Sequence, residues 1–334
     1  MGNLVVIGAG AWGTALAVAF SRAHCVSLWA RSEAQCALMQ TTRRSPYLNE
    51  IELPASVTIG HDLPHLLAAA QWVVVATPTA GLRSALRALR AAGLGERPVL
   101  WACKGLEPGS DRFAHVIAEE ELGEQALAGA LSGPSFALEV ARGLPTALTL
   151  AARSQGFARD TARALHQRAL RVYFSTDIIG VEVGGAVKNV LAIATGMCDA
   201  LAFGSNARAA LMTRGIAEMT RLAMTLGGHA QTCMGLTGVG DLILTCTGDL
   251  SRNRRVGLAL GAGQTLEQIL ATLGHVAEGV SAAQGVRRIA HAHGVDMPIT
   301  DAVCDVLAGT LSVRDAAELL LGRDPRAEQG SIAY

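Results

Sequence analysis

Of the 28 cationic side chains in this 334-residue sequence, 26 are arginine and only two are lysine, Lys104 and Lys188. Arginine keeps its proton in any protein environment, whereas a lysine ammonium, with an ordinary pKa of about 10.4, falls by units when buried or set beside another cation. The two lysines are therefore the cations able to move a proton. Compositional accident would also leave two lysines, stranded on the surface. Convergence on one cleft would separate the explanations, because each ammonium then depresses the other and one becomes a proton donor near neutral pH. Lys104 follows the apolar run Val99-Leu100-Trp101-Ala102, which places it at the carboxyl edge of a sheet, where ligands bind in open α/β folds. Lys188 stands in Gly184-Gly185-Ala186-Val187-Lys188-Asn189, where glycines admit a close neighbour.

A second constellation follows the first β-rich run. Gly8-Ala9-Gly10-Ala11-Trp12-Gly13 leads directly into the helix-forming Thr14-Ala15-Leu16-Ala17. Gly8 suits the tight turn, Gly10 lets backbone approach a pyrophosphate at the helix N-terminus, and Gly13 allows close packing of helix on strand. In that context the motif reads as a Rossmann-type dinucleotide site. An NAD-selective site carries a carboxylate about 20 residues further on, at the end of the second strand. Here the strand ends in Trp29-Ala30-Arg31-Ser32, and the Arg31 guanidinium can pair with a 2′-phosphate. This favours NADP(H), while Glu33 leaves NAD(H) open and a solvated arginine is the plainer explanation.

Two further turns complete the set. Ser132-Gly133-Pro134-Ser135-Phe136-Ala137 follows another β-rich run, and Gly238-Val239-Gly240-Asp241-Leu242 with Ser251-Arg252-Asn253-Arg254-Arg255 forms a polar group between apolar stretches. The Ser251 hydroxyl can cap a helix whose first amides, with Arg252, hold an anion. Loop capping explains each turn taken alone. Taken with the lysines and the glycine loop, they specify a small phosphorylated carbonyl compound beside a nicotinamide.

These groups must be positioned by alternating elements. Short β-rich runs at Leu4–Ile7, Val26–Trp29, Val57–Ile59, Trp72–Ala76, Val99–Ala102, Leu127–Leu131, Ala147–Ala151 and Val172–Phe174 are separated by helix-compatible stretches. That order gives an α/β domain with a mainly parallel sheet, residues 1–180. Beyond Asp177 the strand signals fade, and Val187–Leu201 and Ala207–Leu226 carry apolar residues at helical spacing. Residues 181–334 are expected to form an all-α substrate domain. The 28 acidic residues cancel the 28 basic ones, which argues against non-specific nucleic-acid binding and polybasic membrane attachment. The apolar stretches fall short of the roughly 18 residues needed to cross a bilayer, so no membrane insertion is expected. The start reads as a first strand with no basic leader. Seven cysteines without a C-x-x-C pair point to reduced thiols in the cytoplasm, with no disulfide or metal site.

The run Leu131-Ser132-Gly133-Pro134-Ser135-Phe136-Ala137, continuing through Glu139-Val140-Ala141-Arg142-Gly143-Leu144-Pro145-Thr146, closely resembles the NAD(P)-dependent glycerol-3-phosphate dehydrogenases of bacteria. Gly8–Gly13, Lys104–Glu107, Gly184–Asn189, Asn206–Glu218, Gly238–Thr247, Ser251–Arg255 and Val276–Gly279 are similar to that family in the same order, nearly end to end. The resemblance implies interconversion of dihydroxyacetone phosphate and sn-glycerol 3-phosphate for phospholipid synthesis, in a homodimer. It implies Lys188 as proton donor and acceptor, with Lys104 orienting the same oxygen and touching both cofactor and substrate. It places further substrate contacts at Gly133, Ser135, Asp241, Ser251, Arg252 and Asn253. Cofactor contacts fall on the Gly8–Gly13 loop, Trp12, Arg31, Ala137, Arg252, Val276 and Glu278.

The chain departs from the family at Ala11, often serine there, and at Cys103, often threonine. Loss of one side-chain hydrogen bond at Ala11 should weaken cofactor binding by roughly 0.5–1.5 kcal/mol. Cys103 reads as a packed thiol, or as one whose pKa falls beside Lys104 and which oxidises readily. A 3-hydroxyacid or phosphogluconate dehydrogenase would share the architecture but not the substrate residues. A non-enzymatic NADPH sensor would need neither lysine.

Overall fold

The computed structural model describes residues 2–273 and 277–321. Its ten strands are β1 (Asn3–Ile7), β2 (Cys25–Trp29), β3 (Arg44–Ser45), β4 (Leu48–Glu52), β5 (Val57–Gly60), β6 (Trp72–Val75), β7 (Val99–Trp101), β8 (Ala128–Ser132), β9 (Thr146–Ala151) and β10 (Leu170–Ser175). Eight of them form one sheet in the order β10-β9-β8-β7-β6-β1-β2-β5. Each of the eight β-rich runs in the sequence supplies one strand. All neighbours are parallel except β8 and β9, which run antiparallel. The β3–β4 hairpin lies outside this sheet and has no counterpart in the sequence reading, because β3 has only two residues and Leu48-Asn49-Glu50-Ile51-Glu52 of β4 lacks strict apolar alternation.

Alternation along β1 explains why the sheet is covered on both sides. Leu4 and Val6 enter one core with Leu16, Phe20 and Leu28, while Val5 and Ile7 enter another with Val73, Val75, Leu82 and Trp101. Side chains of successive strand residues point to opposite faces, and a parallel sheet buried on both reads as a nearly continuous apolar run.

Beyond β10 the described chain is helical, in line with the expected all-α half. Its central element is the long helix Ile178–Ala200, which begins nine residues before the helical run expected at Val187. Asp177 sets that start, accepting from the Gly180 amide at 2.8 Å and from the His229 amide at 2.9 Å. At 23 residues, with a mean hydropathy of 1.5 in its best window, it is long and apolar enough to cross a membrane, contrary to the sequence expectation that no stretch approaches that length. Here 89% of that window is buried inside the protein, where the helix serves as the core of the helical half.

The long helix meets the helix Arg252–Gly261 at backbone contact. A Cβ at Gly196 would lie 2.1 Å from the Arg254 carbonyl oxygen, and one at Gly257 would lie 2.0 Å from that of Ile193. No side chain fits between the two helices, so the polar turn at Ser251–Asn253 is brought close to Lys188 and Asn189. Gly257→Ala should push the helices apart and lower stability by about 1–3 kcal/mol, as overpacking does elsewhere. Urea unfolding would measure this, and an unchanged midpoint would contradict the close crossing.

Candidate active site

The two lysines do converge. Lys104 lies just beyond the carboxyl end of β7, and Lys188 is buried on the long helix, 6% exposed. Gly185, one turn before Lys188, makes room for the approach: a Cβ there would touch Lys104 Cγ at 3.4 Å. Between the ammoniums sits Asp241, first residue of the helix Asp241–Thr247, aimed by the π-helical turn Leu236–Gly240 that packs on Gly184. Lys188 Nζ donates to Asp241 Oδ1 at 2.6 Å and Lys104 Nζ donates to Oδ2 at 2.7 Å. Lys188 also donates to Thr245 Oγ1 at 3.0 Å, and Lys104 to the Gly133 carbonyl at 3.0 Å.

The charges respond to this enclosure. Burial pulls the Lys188 ammonium down to about 8, with Asp241 opposing the fall and Lys104 adding to it. Against the upward push of burial, the two ammoniums hold Asp241 below the usual carboxylate range. Both Asp241 oxygens are taken by lysines, so it would act on a substrate through them rather than by meeting a phosphate.

The remaining substrate candidates gather around this pair. Ser135 Oγ donates to the Gly133 carbonyl at 2.9 Å, the same oxygen that receives Lys104. Ser251 is the N-cap of the helix Arg252–Gly261 and accepts from the Arg254 amide at 3.2 Å. Arg252 is exposed, with no hydrogen bond or ion pair among the described residues. Asn253 is buried and donates to Asn189 Oδ1 at 2.8 Å while its own oxygen accepts from the Gly279 amide at 3.0 Å. That bond seats the start of the helix Glu278–Ala292, whose first residue faces the same centre. Burial raises the Glu278 carboxyl, while Arg252, Lys188 and Lys104 pull the other way. Asn189 and Thr245 were not singled out from the sequence. Only their meeting with Asn253 and Lys188 reveals them, although Asn189 is chain neighbour to a lysine already suspected.

The glycine loop fits a dinucleotide. Gly8 takes φ +106°, and a Cβ on Gly13 would lie 1.9 Å from the Gly8 carbonyl oxygen, whereas one on Gly10 would meet nothing within 4 Å. The helix Ala11–Phe20 starts with no side-chain cap, leaving its first amides for an anion. The buried Trp12 indole nitrogen and the Thr77 hydroxyl, on either side of the loop, have no hydrogen-bond partner among the described residues. Arg31 stands exposed past the end of β2, free of any ion pair among the described residues. Ala137 opens the helix Ala137–Arg142 after the Gly133 turn. Val276 lies outside the described residues.

Cys103 is the packed thiol expected from the sequence, and the alternative of a lowered pKa does not hold. Its thiol is not lowered by the adjacent Lys104; burial pushes it far above the ordinary cysteine value, and the Glu278 and Glu182 carboxylates reinforce the rise. All seven cysteines are free thiols, and Cys25 alone is exposed. Alkylation of the native protein at neutral pH, mapped by mass spectrometry, should modify Cys25 and spare Cys103; rapid labelling of Cys103 would restore the reactive-thiol reading.

Known proteins share the sequence and fold of this chain along nearly its whole length. The models for the N-terminus and C-terminus of NAD-dependent glycerol-3-phosphate dehydrogenase match residues 3–158 and 177–318. A curated NAD(P)+ glycerol-3-phosphate dehydrogenase from Dechloromonas aromatica is 55% identical over 327 residues, covering 98% of this chain and 99% of its own. One from Nitrosospira multiformis is 52% identical over 331 residues, with 98% and 99% covered. The crystal structure of glycerol-3-phosphate dehydrogenase from Coxiella burnetii superposes with a TM-score of 0.91 at 38% identity, covering 96% of this chain and 99% of that one. With both halves matched and these relatives aligned along nearly their whole length, the chain belongs to the NAD-dependent glycerol-3-phosphate dehydrogenase family.

Proposed function

We propose that Lys188 is the proton donor and acceptor as this NAD(P)-dependent enzyme interconverts dihydroxyacetone phosphate and sn-glycerol 3-phosphate. The observation that carries this reading is the shared carboxylate: Asp241 holds the chain's two lysines at 2.6 and 2.7 Å on its two oxygens. The bound nicotinamide supplies a hydride to the ketone carbon. As that bond forms, the carbonyl π pair moves to oxygen, which takes a proton from the Lys188 ammonium. Neutral Lys188 then regains a proton from water. In the oxidative direction, neutral Lys188 takes the hydroxyl proton instead. Lys104 orients and polarises the same oxygen from the sheet edge, beside Gly133 and Ser135. Ser251 and Arg252 hold the phosphate at a helix N-terminus, and Asn253 has one amide hydrogen left for it.

Gly8, Gly10, Ala11, Trp12 and Gly13 would hold the cofactor, with Ala137, Lys104, Arg252, Val276 and Glu278 as its further contacts. Arg31 favours NADP(H) over NAD(H) by pairing with a 2′-phosphate. In this reading residues 1–180 form the cofactor domain and 181–334 the substrate domain, and the enzyme works in the cytoplasm as a homodimer, supplying glycerol 3-phosphate for phospholipids.

General acid catalysis is worth roughly 10²- to 10⁴-fold, so Lys188→Ala should lose that much kcat for NADPH oxidation by dihydroxyacetone phosphate, followed at 340 nm. Retained turnover would remove Lys188 from the chemistry. The pH dependence has opposite signs in the two directions. Ketone reduction needs the ammonium and should decline as pH rises through about 8, whereas glycerol 3-phosphate oxidation needs the amine and should climb over the same interval. Profiles that moved together would point to another group. For the cofactor, Arg31→Ala deletes an exposed charge, so the KM for NADPH should rise about 5- to 10-fold with little change for NADH. Equal effects would leave Arg31 a solvated strand-end residue.

A further inference from the structure

One buried polar junction lies outside the set of groups that would touch cofactor or substrate. Glu182, on the long helix, keeps its side chain 6% exposed yet accepts three hydrogen bonds from the sheet half of the molecule. Trp101 Nε1 donates to Oε1 at 2.8 Å, the His115 amide donates to the same oxygen at 3.0 Å, and His115 Nδ1 meets Oε2 at 2.5 Å. Trp101 is the last residue of β7 and itself 2% exposed, and His115 lies in the first turn of the helix Ala114–Leu122. Against the downward push of burial, the carboxylate holds the His115 imidazole above its ordinary value, so the ring nitrogen serves as a donor to it.

The position of this junction matters more than its strength. Trp101 ends β7 three residues before Lys104, and Glu182 precedes Lys188 by six on the long helix, about 9 Å along its axis. A single carboxylate thus fixes the end of β7, from which Lys104 follows, and the helix that bears Lys188 to one point. The long helix makes its side-chain hydrogen bonds to the sheet half through Glu182, while its other polar side chains, Lys188, Asn189, Thr195 and Asp199, bond within the helical half or the helix itself. A buried charge is poor value as a source of stability, since apolar side chains of similar volume usually fill such a place as well or better. What directional bonds add is register, and a shift between the proton donor on one half and the glycine loop on the other would misalign two transfers at once.

We propose that Glu182 is a positioning residue for hydride transfer, setting through Trp101 and His115 the distance between Lys188 and the cofactor-binding edge of the sheet. The inference rests on the reading of Lys188 as proton donor. Its test uses variants that leave Glu182 in place: Trp101→Phe, which removes the indole N–H, His115→Ala, which removes the ring, and His115→Asn, which returns a nitrogen donor close to the place of Nδ1. Misplacement on the ångström scale lowers rates by one to two orders of magnitude, so kcat should fall roughly 10- to 100-fold in Trp101→Phe and His115→Ala. NADPH affinity by fluorescence and the KM for dihydroxyacetone phosphate should hold, and the primary isotope effect on kcat with 4-deuterated NADPH should grow. His115→Asn should recover most of the loss. Wild-type kcat and isotope effect in Trp101→Phe and His115→Ala, whatever their melting temperatures, overturn the proposal, as does a fall in kcat that merely follows the folded fraction. Lys188→Ala run in parallel separates the two claims: activity retained there sinks the proton-donor reading, whereas an inactive Lys188→Ala beside an unaffected His115→Ala sinks the junction alone.

Discussion

Two ammoniums and one carboxylate share a pocket that water barely reaches, and the architecture is what makes that tolerable. An isolated ion in such a place is strongly disfavoured, and even a pair needs its remaining donors satisfied. Asp241 answers both lysines, and the Gly133 carbonyl and Thr245 hydroxyl take further ammonium hydrogens. The trio still carries one surplus positive charge, which suits an oxygen that becomes more negative as a ketone is reduced. Its members come from positions 104, 188 and 241, so no local segment can assemble it. The sheet, the long helix and the π-helical turn are each needed to bring one member into place.

Parallel topology explains why the other groups lie within reach. The glycine loop leaves β1, Thr77 follows β6, Lys104 follows β7 and the Gly133 turn leaves β8. These four strands are adjacent and parallel, so their connections emerge on one edge. The helical half lays Lys188, Asp241 and Ser251–Asn253 over that edge. Both halves thus contribute to the cluster, Lys104 and Gly133 from the sheet edge and Lys188 and Asp241 from the helices, and their groups meet at the seam between them.

The strands and the two-part architecture were legible because their signals are local. Each apolar run declared its strand, and each glycine or capping turn stood beside the element it serves. Lys104 and Lys188 were legible for a rarer reason, a composition in which arginine supplies nearly every other positive charge. What escaped was relational. Glu182 belongs to no motif in the sequence, and only the fold shows Trp101 and His115 facing it. For Cys103 the packed-thiol reading stands and the alternative of a lowered pKa falls, because adjacency to Lys104 in the chain says nothing about the Glu278 and Glu182 carboxylates, which arrive from elsewhere. The π-helical turn at Leu236–Gly240 and the β3–β4 hairpin are short, and their geometry follows from packing more than from pattern.

The crossing at Gly196 and Gly257 gives the site a property of a different kind. Backbone rests on backbone there, so the span from the Ser251–Asn253 turn to Lys188 is set by two main chains rather than by side chains able to swing or be trimmed. In the proposed reading such a crossing is a rigid ruler between phosphate and carbonyl. Side-chain replacement around the rim can alter how tightly a molecule is gripped, but not the length being measured. Acceptance of a substrate with a longer carbon chain would require sliding one helix along the other, a change of register that no single substitution supplies.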